Sequence, residues 1–371
     1  MINYDVYCDD NCIAKEIDSI EKAEDILIDY IYDNYGSIAK SYGIKEILDN
    51  INYSYRFFDD FDEEIEDIKG RICVHKKEYS TRIKSLSISV PGAGCVNDCK
   101  YCVSKMKDDW KCFGTTDEFL TTSVIEESIR EAINNGAKSV IITGTIEPLQ
   151  NMEFVHRVCK AFKRIDPPTV SLEIQTSLCY GAMTIPYIKK LAEWGVDTLA
   201  VSISALDEKT NWEINSISPN RYTNIDEALT YAKRLGMNIR LCINMSKCTF
   251  AESNDTNSFT PLEILSSIIY RAWSTANQIT IRRLYHNNSD TPQANWIKEN
   301  EFSEEFWVGL KEALSEVCIK TGEIDWYDVI RNLYIRVDED CMGKQDESRY
   351  WVLRPDGHIY LGWDATTPIE M

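Results

Sequence analysis

The sequence predicts an α/β protein made of parallel β/α units, because strand-like and helix-like segments alternate from residue 85 to about residue 284. The chain has 371 residues, which is enough to bury a large core. Glycine follows three of the helix-like segments, at Gly136, Gly195 and Gly236, where a left-handed helix cap is expected. Six such units, joined by right-handed crossovers, are too few to close an eightfold barrel.

The strands are predicted from short apolar runs rich in Ile, Val and Leu. In chain order they are Leu86–Val90, Ser139–Thr143, Val170–Gln175, Thr198–Ser204, Asn238–Asn244 and Gln278–Leu284. Between them, apolar residues at helical spacing predict five helices. These are Phe119–Asn135, Met152–Arg164, Ile185–Trp194, Asn224–Leu235 and Leu262–Ala276. Ligands of such folds bind at the carboxyl ends of the strands, so we expect the site there.

Residues 1–80 are predicted to form an acidic helical extension outside this core. Apolar residues recur with a roughly helical period over Asp18–Tyr32 and again over Ile44–Ile51. The aromatic run Tyr53–Phe61 follows them and is flanked by acidic residues. We expect this run to pack the extension against the outside of the barrel, with the acidic side chains facing water.

Residues 286–371 leave the alternation and are predicted to form an α+β tail on the core of residues 81–285. Ser303–Lys320 has the apolar spacing of an amphipathic helix. Tyr350–Gly362 places two alternating apolar runs around Pro355–Gly357, a pattern typical of a β-hairpin. We expect the tail to pack near the barrel mouth or the sixth strand and to help shape a substrate pocket.

The net charge of −20, from 60 acidic and 40 basic residues, restricts the expected partners. Residues 1–70 hold 19 acidic and 6 basic residues, a balance of −13. An acidic surface repels phosphate backbones, so nucleic acid is a poor default partner. No apolar stretch approaches 18 residues, so no membrane span is expected. Thirteen cysteines in a chain without a signal peptide predict a reducing, cytoplasmic location.

Three cysteines lie within eight residues, at Cys95, Cys99 and Cys102, in the string GCVNDCKYC. Three thiolates at this C-x3-C-x2-C spacing can hold three irons of a 4Fe–4S cluster and leave the fourth iron open to a ligand. A structural zinc site normally has four protein ligands, and the nearest candidates, Cys112 and His75, do not lie at a usual zinc spacing. Zinc and purely structural thiols remain as alternatives, and a single cluster is the favoured interpretation.

At these residues the chain resembles the radical S-adenosylmethionine (SAM) superfamily, whose pattern is C-x3-C-x-aromatic-C with Tyr101 at the aromatic position. The motif follows the strand-like run Ser85–Val90 and the glycine-rich stretch Pro91–Gly94, where the family places its cluster. The resemblance implies a partial (β/α)6 barrel, one 4Fe–4S cluster, and SAM bound to the open iron. It also implies that one electron, from a donor such as flavodoxin or ferredoxin, cleaves SAM to methionine and a 5′-deoxyadenosyl radical.

The end of the second strand, Thr143–Leu149, reads TGTIEPL and resembles the Gly-Gly-Glu-Pro motif of the family. Thr145 replaces the second glycine of that motif. The resemblance implies that backbone groups of Gly144 and Thr145 bind the SAM ammonium group and that Glu147 supports the loop. An ordinary strand-to-helix turn is the alternative.

Further cofactor candidates lie on one face of the third to sixth strands, and we expect them, Glu173 included, at the carboxyl ends of these strands. They are Glu173 and Gln175, Ser202, Arg240 and Asn244, and Arg282. The family uses polar residues on the third strand for the SAM ribose or amino group, and Ser202 is the candidate ribose ligand. Because a guanidinium grips a carboxylate with two parallel hydrogen bonds, Arg240 or Arg282 is expected to hold the carboxylate of SAM or of the substrate. For each residue a structural hydrogen bond is the alternative.

Four residues just beyond strand ends are candidates for donating a hydrogen atom to a product radical. They are Cys179, Tyr180, Cys248 and Tyr285, of which Cys179 and Tyr285 are the catalytic candidates we favour. Cysteine and tyrosine are also ordinary packing residues, and that is the alternative.

The function that this pattern favours is a radical SAM enzyme that abstracts hydrogen from a small-molecule or peptide substrate. An RNA- or nucleotide-modifying radical SAM enzyme is a second interpretation, disfavoured by the acidic charge. A non-catalytic iron–sulfur protein with a regulatory or interaction role is the third. The sequence does not identify the substrate.

Overall fold

The computed structural model describes a large part of the chain. The described residues are 3–8, 11–17 and 72–77, by their backbone alone, and 83–106, 116–167, 169–250, 260–285, 287–322, 324–339, 350–363, 365 and 367–369. The chain divides into two compact units, residues 1–81 and residues 82–371. Each unit is considered by itself.

The described part of the first unit is a three-stranded antiparallel sheet. Strands β1 (Asn3–Cys8), β2 (Asn11–Ile17) and β3 (Ile72–Lys77) lie in the order β2–β1–β3. Since Cys8 pairs with Asn11, only two residues connect β1 to β2, which is the length of a tight hairpin. This sheet was not predicted, because the extension was expected to be helical. The predicted helices and the aromatic run Tyr53–Phe61 lie outside the described residues.

The second unit is built on one mixed sheet. Its strands are β4 (Ser85–Ser89), β5 (Ser139–Thr143), β6 (Ser171–Thr176), β7 (Thr198–Ile203), β8 (Asn238–Met245), β9 (Gln278–Arg283), β10 (Ile319–Lys320), β11 (Asp325–Asp328), β12 (Leu333–Asp338), β13 (Tyr350–Leu353) and β14 (Ile359–Tyr360). Their order is β10–β11–β12–β9–β8–β7–β6–β5–β4–β13–β14. The six predicted strands are β4 to β9, and all five pairings among them are parallel. The predicted α/β fold of six parallel units is therefore confirmed, and the sheet does not close.

Helices follow the strands in chain order. They are α1 (Thr122–Asn134), α2 (Met152–Ile165), α3 (Thr184–Glu193), α4 (Glu208–Ile214), α5 (Ile225–Arg234), α6 (Pro261–Trp273), α7 (Pro292–Asn300) and α8 (Glu304–Val317). Side chains of Thr121, Asn224 and Thr260 cap the backbone N–H groups at the starts of α1, α5 and α6. The helices α4 and α7 were not predicted, because seven and nine residues are too few to give a clear helical period.

The two faces of the central strands differ in character. Apolar side chains such as Ile88, Ile142 and Ile174 are fully buried in the main core. The alternate positions carry polar side chains, among them Glu173 and Gln175 on β6. Because parallel strands covered on both sides are usually apolar throughout, this second, polar face marks the inside of the partial barrel as a place for ligands.

The tail extends the sheet at both edges of the six-stranded core. Strand β12 pairs in parallel with β9, the sixth strand of that core. The predicted hairpin is formed by β13 and β14, with Val352 opposite Tyr360. It does not lie at the sixth strand, because β13 pairs in parallel with β4 at the opposite edge, where an unpaired strand would otherwise be exposed. In the part of the chain that the structure describes, no helix is long and apolar enough to cross a membrane.

Candidate metal centre and cofactor site

The three cysteines of the C-x3-C-x2-C motif lie in the loop that follows β4. Cys95, Cys99 and Cys102 are all free thiols of intermediate exposure. The N–H of Cys102 donates to the carbonyl of Cys99 at 3.1 Å, and Cys102 precedes a short 3-10 helix, Val103–Lys105. The loop thus brings the three thiols to the carboxyl end of the first core strand.

The electrostatics of this loop are those of thiols held close together. Burial raises the pKa of the Cys99 thiol well above its ordinary value, and the neighbouring Cys102 and Cys95 raise it further. Burial also raises the pKa of Cys95, while the backbone N–H of Asn97, 3.4 Å from the Cys95 sulfur, lowers it. A bound cation would reverse this bias, because iron binds and stabilises thiolates.

The donor set fits a cluster better than a single ion. No three His, Cys, Asp or Glu side chains among the described residues converge closely enough to hold one metal ion. In a 4Fe–4S cluster each cysteine binds a different iron, so the three thiols need not converge on one point. The N–H that faces the Cys95 sulfur is also of the kind that tunes iron–sulfur sites. Cys95, Cys99 and Cys102 would therefore hold a 4Fe–4S cluster.

The first half of the cysteine loop is anchored by the segment that follows β5. Gln150 accepts from the N–H of Val96 at 2.9 Å and donates to the carbonyl of Gly94 at 2.6 Å. The guanidinium of Arg221 donates to the carbonyl of Val96 at 2.9 Å. None of these bonds could be predicted, because Gln150 and Arg221 lie more than fifty positions from the cysteine loop and belong to no recognisable motif. These bonds hold the backbone on both sides of Cys95.

Gly144, the first residue after β5, packs directly against the backbone that leads into the cysteine loop. A Cβ at this position would lie 2.8 Å from the backbone nitrogen of Val90 and 3.3 Å from the hydroxyl of Ser89. The φ of Gly144 is +154°. Only glycine fits this close approach, so the residue fixes the distance between the ends of β4 and β5.

We expect Gly144→Ala to destabilise the protein by about 2 kcal/mol, because the added methyl group must push the backbone of Val90 away. Gly94→Ala is the matched control, since a Cβ at Gly94 meets nothing within 4 Å, and its effect should stay within about 0.5 kcal/mol. Urea unfolding of both variants measures the difference. Equal stability of the two variants would contradict the close approach.

The carboxyl ends of the core strands form the rim of the partial barrel. Glu147 lies at this rim between β5 and β6, and its buried carboxylate accepts four hydrogen bonds. One oxygen accepts from the hydroxyl of Thr176 at 2.5 Å and from the N–H of Leu149 at 3.3 Å. The other accepts from the N–H and the hydroxyl of Ser177, both at 2.8 Å. A buried carboxylate needs such partners. The side chain is therefore engaged in joining the two strand ends.

The backbone beside this carboxylate is strained. Leu178 has a φ of +58°, a left-handed conformation that is rare for a bulky residue, and its side chain is fully buried. Its N–H donates to the hydroxyl of Thr176 at 2.9 Å. Strain of this kind persists only where the surrounding contacts enforce it, and it clusters at functional sites. Here it directs the N–H of Ser177 toward Glu147.

Glu173 was expected at a strand end, and the structure places it elsewhere. It is the third residue of the six-residue strand β6, and its side chain is 2% exposed. Its carboxylate lies 3.0 Å from the guanidinium of Arg240 and accepts from the amide of Gln175 at 3.2 Å. Arg240 also donates to Gln278 at 2.9 Å. Glu173, Gln175 and Arg240 thus form a network inside the barrel, below the rim.

The remaining cofactor candidates lie nearer the rim. Arg282 donates to the carboxylate of Asp338 on β12 at 3.3 Å. The amide of Asn244 donates to the hydroxyl of Tyr101 at 3.1 Å, which connects β8 to the cysteine loop. Burial raises the pKa of Tyr101 and keeps it a neutral phenol. The hydroxyl of Ser202 makes no hydrogen bond within the part of the chain that the structure describes, and Thr145 is half-buried beside the rim.

The four candidate hydrogen-atom donors occupy different environments. Cys179 is buried in the main core, where its thiol donates to the carbonyl of Ser177 at 3.2 Å and where burial raises its pKa to about 12. The thiol of Cys248 donates to Asn300 at 3.1 Å. Tyr285 packs beside a small apolar cluster, and Tyr180 lies at the rim. Their catalytic roles stay predictions.

Arg221 lies in the candidate site but was not among the residues predicted from the sequence. Two of its guanidinium nitrogens, Nε and Nη2, are buried without a hydrogen-bond partner among the described residues. The guanidinium lies 4.8 Å from the ring centre of Tyr180, whose buried hydroxyl likewise has no described partner. The side-chain oxygen of Asn97, between two of the cysteines, also has no partner in the described part of the chain. Buried polar atoms without partners are costly, so this group next to the cysteine loop fits a polar, partly anionic ligand.

Comparisons with known proteins agree with this geometry. Residues 89–246 match the model of the Radical SAM superfamily. Over 191 residues the chain is 25% identical to the dual-specificity RNA methyltransferase RlmN of Aliarcobacter butzleri (strain RM4018). That match covers 51% of this chain and 50% of the relative, so the chain spans about half the length of the curated relative.

Two solved enzyme structures align with part of the chain. Coproporphyrinogen III oxidase (HemN) from Escherichia coli aligns at 14% identity and a TM-score of 0.41, over 64% of this chain and 52% of that chain. Methylornithine synthase (PylB) aligns at 16% identity and a TM-score of 0.42, over 63% of each chain.

The family match includes the cysteine loop, the loop after β5 and the strands up to β8. Residues 89–246 therefore form a radical SAM domain, and enzymes of that superfamily use a 4Fe–4S cluster and S-adenosylmethionine. The resemblance that the cysteine motif predicts is confirmed. The matches do not specify a subfamily.

Proposed function

We propose that this protein reductively cleaves SAM and uses the resulting radical to abstract hydrogen from a small-molecule or peptide substrate. When bound, the cluster and SAM supply the electron transfer and the 5′-deoxyadenosyl radical that this chemistry requires. The observation that carries the proposal is the position of Cys95, Cys99 and Cys102, three free thiols in one loop at the carboxyl edge of a parallel sheet. Release of 5′-deoxyadenosine by the reduced protein tests it.

For SAM itself, we assign the amino-acid end to the rim between the cysteine loop and the ends of β5 and β6. Gly144 and Thr145 offer backbone groups to the ammonium, on a loop that Glu147 holds through its four hydrogen bonds. Arg221 is better suited to the carboxylate than Arg240. Two of its nitrogens have no hydrogen-bond partner within the described ranges, whereas Arg240 already pairs with a buried carboxylate.

We expect Arg221→Leu to weaken SAM binding by roughly tenfold to a hundredfold, which corresponds to the loss of one hydrogen bond to a charged group. Anaerobic calorimetry on the cluster-loaded protein measures the affinity. Arg234→Leu, an exposed arginine on α5, is the matched control and should bind SAM normally. Arg221→Lys should recover little, because lysine lacks the planar fork of arginine. Wild-type affinity in Arg221→Leu would contradict the assignment.

On the ribose and substrate side, the polar inner face of the strands supports a small polar substrate. Ser202 offers a hydroxyl without a described partner and remains the proposed ribose ligand. Deeper inside the barrel, Arg240 and Glu173 form one ion pair. Arg282 on β9 and Asp338 on β12 form a second ion pair. Such a lining favours a substrate with hydrogen-bonding groups over a purely apolar one.

Electron supply and cell compartment follow from the same proposal. The chain needs a one-electron donor, such as flavodoxin or ferredoxin, because no redox group beyond the cluster is implied by the family match. The eight cysteines whose side chains the structure describes are free thiols, which supports a reducing compartment such as the cytoplasm.

RNA methylation is a second candidate function, favoured by one observation. The relative from Aliarcobacter butzleri is an RNA methyltransferase, and it is 25% identical over 191 residues. The net charge of −20 disfavours the phosphate contacts that such a substrate needs. Transfer of a labelled methyl group from SAM to total RNA would favour this candidate over a small-molecule or peptide substrate.

A further inference from the structure

The short helix α4 holds the second half of the cysteine loop. The N–H of Asp98 donates to the carbonyl of Asn215 at 3.3 Å, and the N–H of Lys100 donates to the carbonyl of Ile214 at 3.0 Å. Carbonyls at the end of a helix have no partner within the helix, so they are free to accept these bonds. The two contacts lie on either side of Cys99 and fix its backbone.

The side chain of Asn215, the residue that ends α4, continues this attachment. Its oxygen lies 3.0 Å from the hydroxyl of Tyr101 and 3.0 Å from the hydroxyl of Ser204, and these two hydroxyls are 2.7 Å apart. Each hydroxyl has one proton, so one of them donates to the other, which in turn donates to Asn215. Its nitrogen donates to the carbonyl and to the side-chain oxygen of Asn211, at 2.9 and 3.1 Å. Tyr101 in turn accepts from the amide of Asn244 on β8. The phenol beside Cys102 is thereby tied to α4, β7 and β8 together.

This network is buried at its centre. Asn215 is 3% exposed, and both its side-chain nitrogen and its side-chain oxygen have hydrogen-bond partners. Asn211 accepts from the N–H of Ser204 at 2.7 Å, which fixes the end of β7 to the same helix. Buried polar networks that are fully satisfied are rigid and define one arrangement of the elements they join.

We propose that Asn215 is a positioning residue for the 4Fe–4S cluster, acting through the hydroxyl of Tyr101 to hold Cys99 and Cys102 in ligating position. The inference rests on the cluster assignment of the proposed function and adds a residue outside the cysteine motif. Partners that orient metal ligands typically change metal affinity ten- to a hundredfold when they are removed. The same network joins the cysteine loop to the end of β8, through the hydrogen bond from Asn244 to Tyr101.

The experiment compares Asn215→Leu and Tyr101→Phe with the wild-type protein and with Lys209→Ala, an exposed residue of α4. Each reconstituted protein is treated anaerobically with an iron chelator, and the rate of cluster loss is followed by absorbance. Both network variants should lose iron at least about tenfold faster than wild type. They should also show an altered electron paramagnetic resonance spectrum after reduction. Lys209→Ala should match wild type in both.

The double variant separates a positioning role from general weakening. If Asn215 acts through the phenol, Tyr101→Phe combined with Asn215→Leu should lose iron little faster than either single variant. Wild-type loss rates and spectra in Tyr101→Phe would overturn the inference, even if Asn215→Leu fails to fold. A wild-type protein that binds no cluster would overturn the proposed function as well, so the two failures are distinguishable.

Discussion

Replacement of Cys95, Cys99 and Cys102 together by alanine is expected to lower the iron content from about four atoms per chain to almost none. The three thiols are the ligand set at the carboxyl end of β4. Their removal leaves no soft donors in that loop, while the fold should persist because none of the three belongs to the fully buried core. Iron and sulfide analysis of the anaerobically reconstituted variant, with its visible spectrum, measures the loss.

Cys248→Ala is the matched control for this experiment. Cys248 is also a free thiol of intermediate exposure, but it lies beyond β8 and donates to Asn300. It should keep the full iron content. A triple variant that retains wild-type iron would show that the cluster lies elsewhere, and equal losses in the triple variant and the control would point to general damage rather than lost ligands.

Loss of Arg240 is expected to destabilise the protein by about 3 kcal/mol, the lower end of the range for breaking a buried ion pair. In Arg240→Met the carboxylate of Glu173 would stay buried with only the amide of Gln175 beside it. The lower end applies because the side chain of Arg240 is 24% exposed. Urea unfolding of Arg240→Met, with the exposed Arg234→Met as control, measures the cost.

The double variant Glu173→Met with Arg240→Met should be much more stable than the sum of the two single changes predicts, since no unpaired charge remains. Strictly additive losses would contradict the pairing. Glu173→Ala also weakens SAM binding if Glu173 touches SAM, as its place on β6 led us to expect. If Glu173 contacts SAM, the double variant should bind SAM more weakly than Arg240→Met does.

The six core strands were predictable because each is a local, mostly apolar run. A run such as Ile239–Ile243 indicates a strand from its own residues, without information about the strands that pair with it. Of the outer strands, β13 and β14 were predicted as a hairpin from the turn between them, but the edge of the core that they occupy was not. β10 has only two residues, and β12 and β13 join the core only through pairing with strands far away in the chain. Such pairing leaves no periodic signal in the sequence.

The candidate site was predictable where its residues form a motif and not where they meet through the fold. The cysteines and Glu147 lie in short patterns that can be read directly. Arg221 and Asn215 follow the fourth strand without any spacing signal, and their importance arises from contacts with residues more than a hundred positions earlier. Glu173 was placed at a strand end because alternation tells which face a residue occupies but not how deep it lies.

Release of 5′-deoxyadenosine distinguishes a radical SAM enzyme from a non-catalytic iron–sulfur protein. The reconstituted wild-type protein is reduced anaerobically with dithionite, supplied with SAM, and sampled over time by liquid chromatography with mass detection. We expect steady release of 5′-deoxyadenosine and methionine in equal amounts, and none above background from the triple cysteine variant. A wild-type protein that carries about four irons, binds SAM and releases no 5′-deoxyadenosine would contradict the proposed function and would favour a non-catalytic iron–sulfur protein.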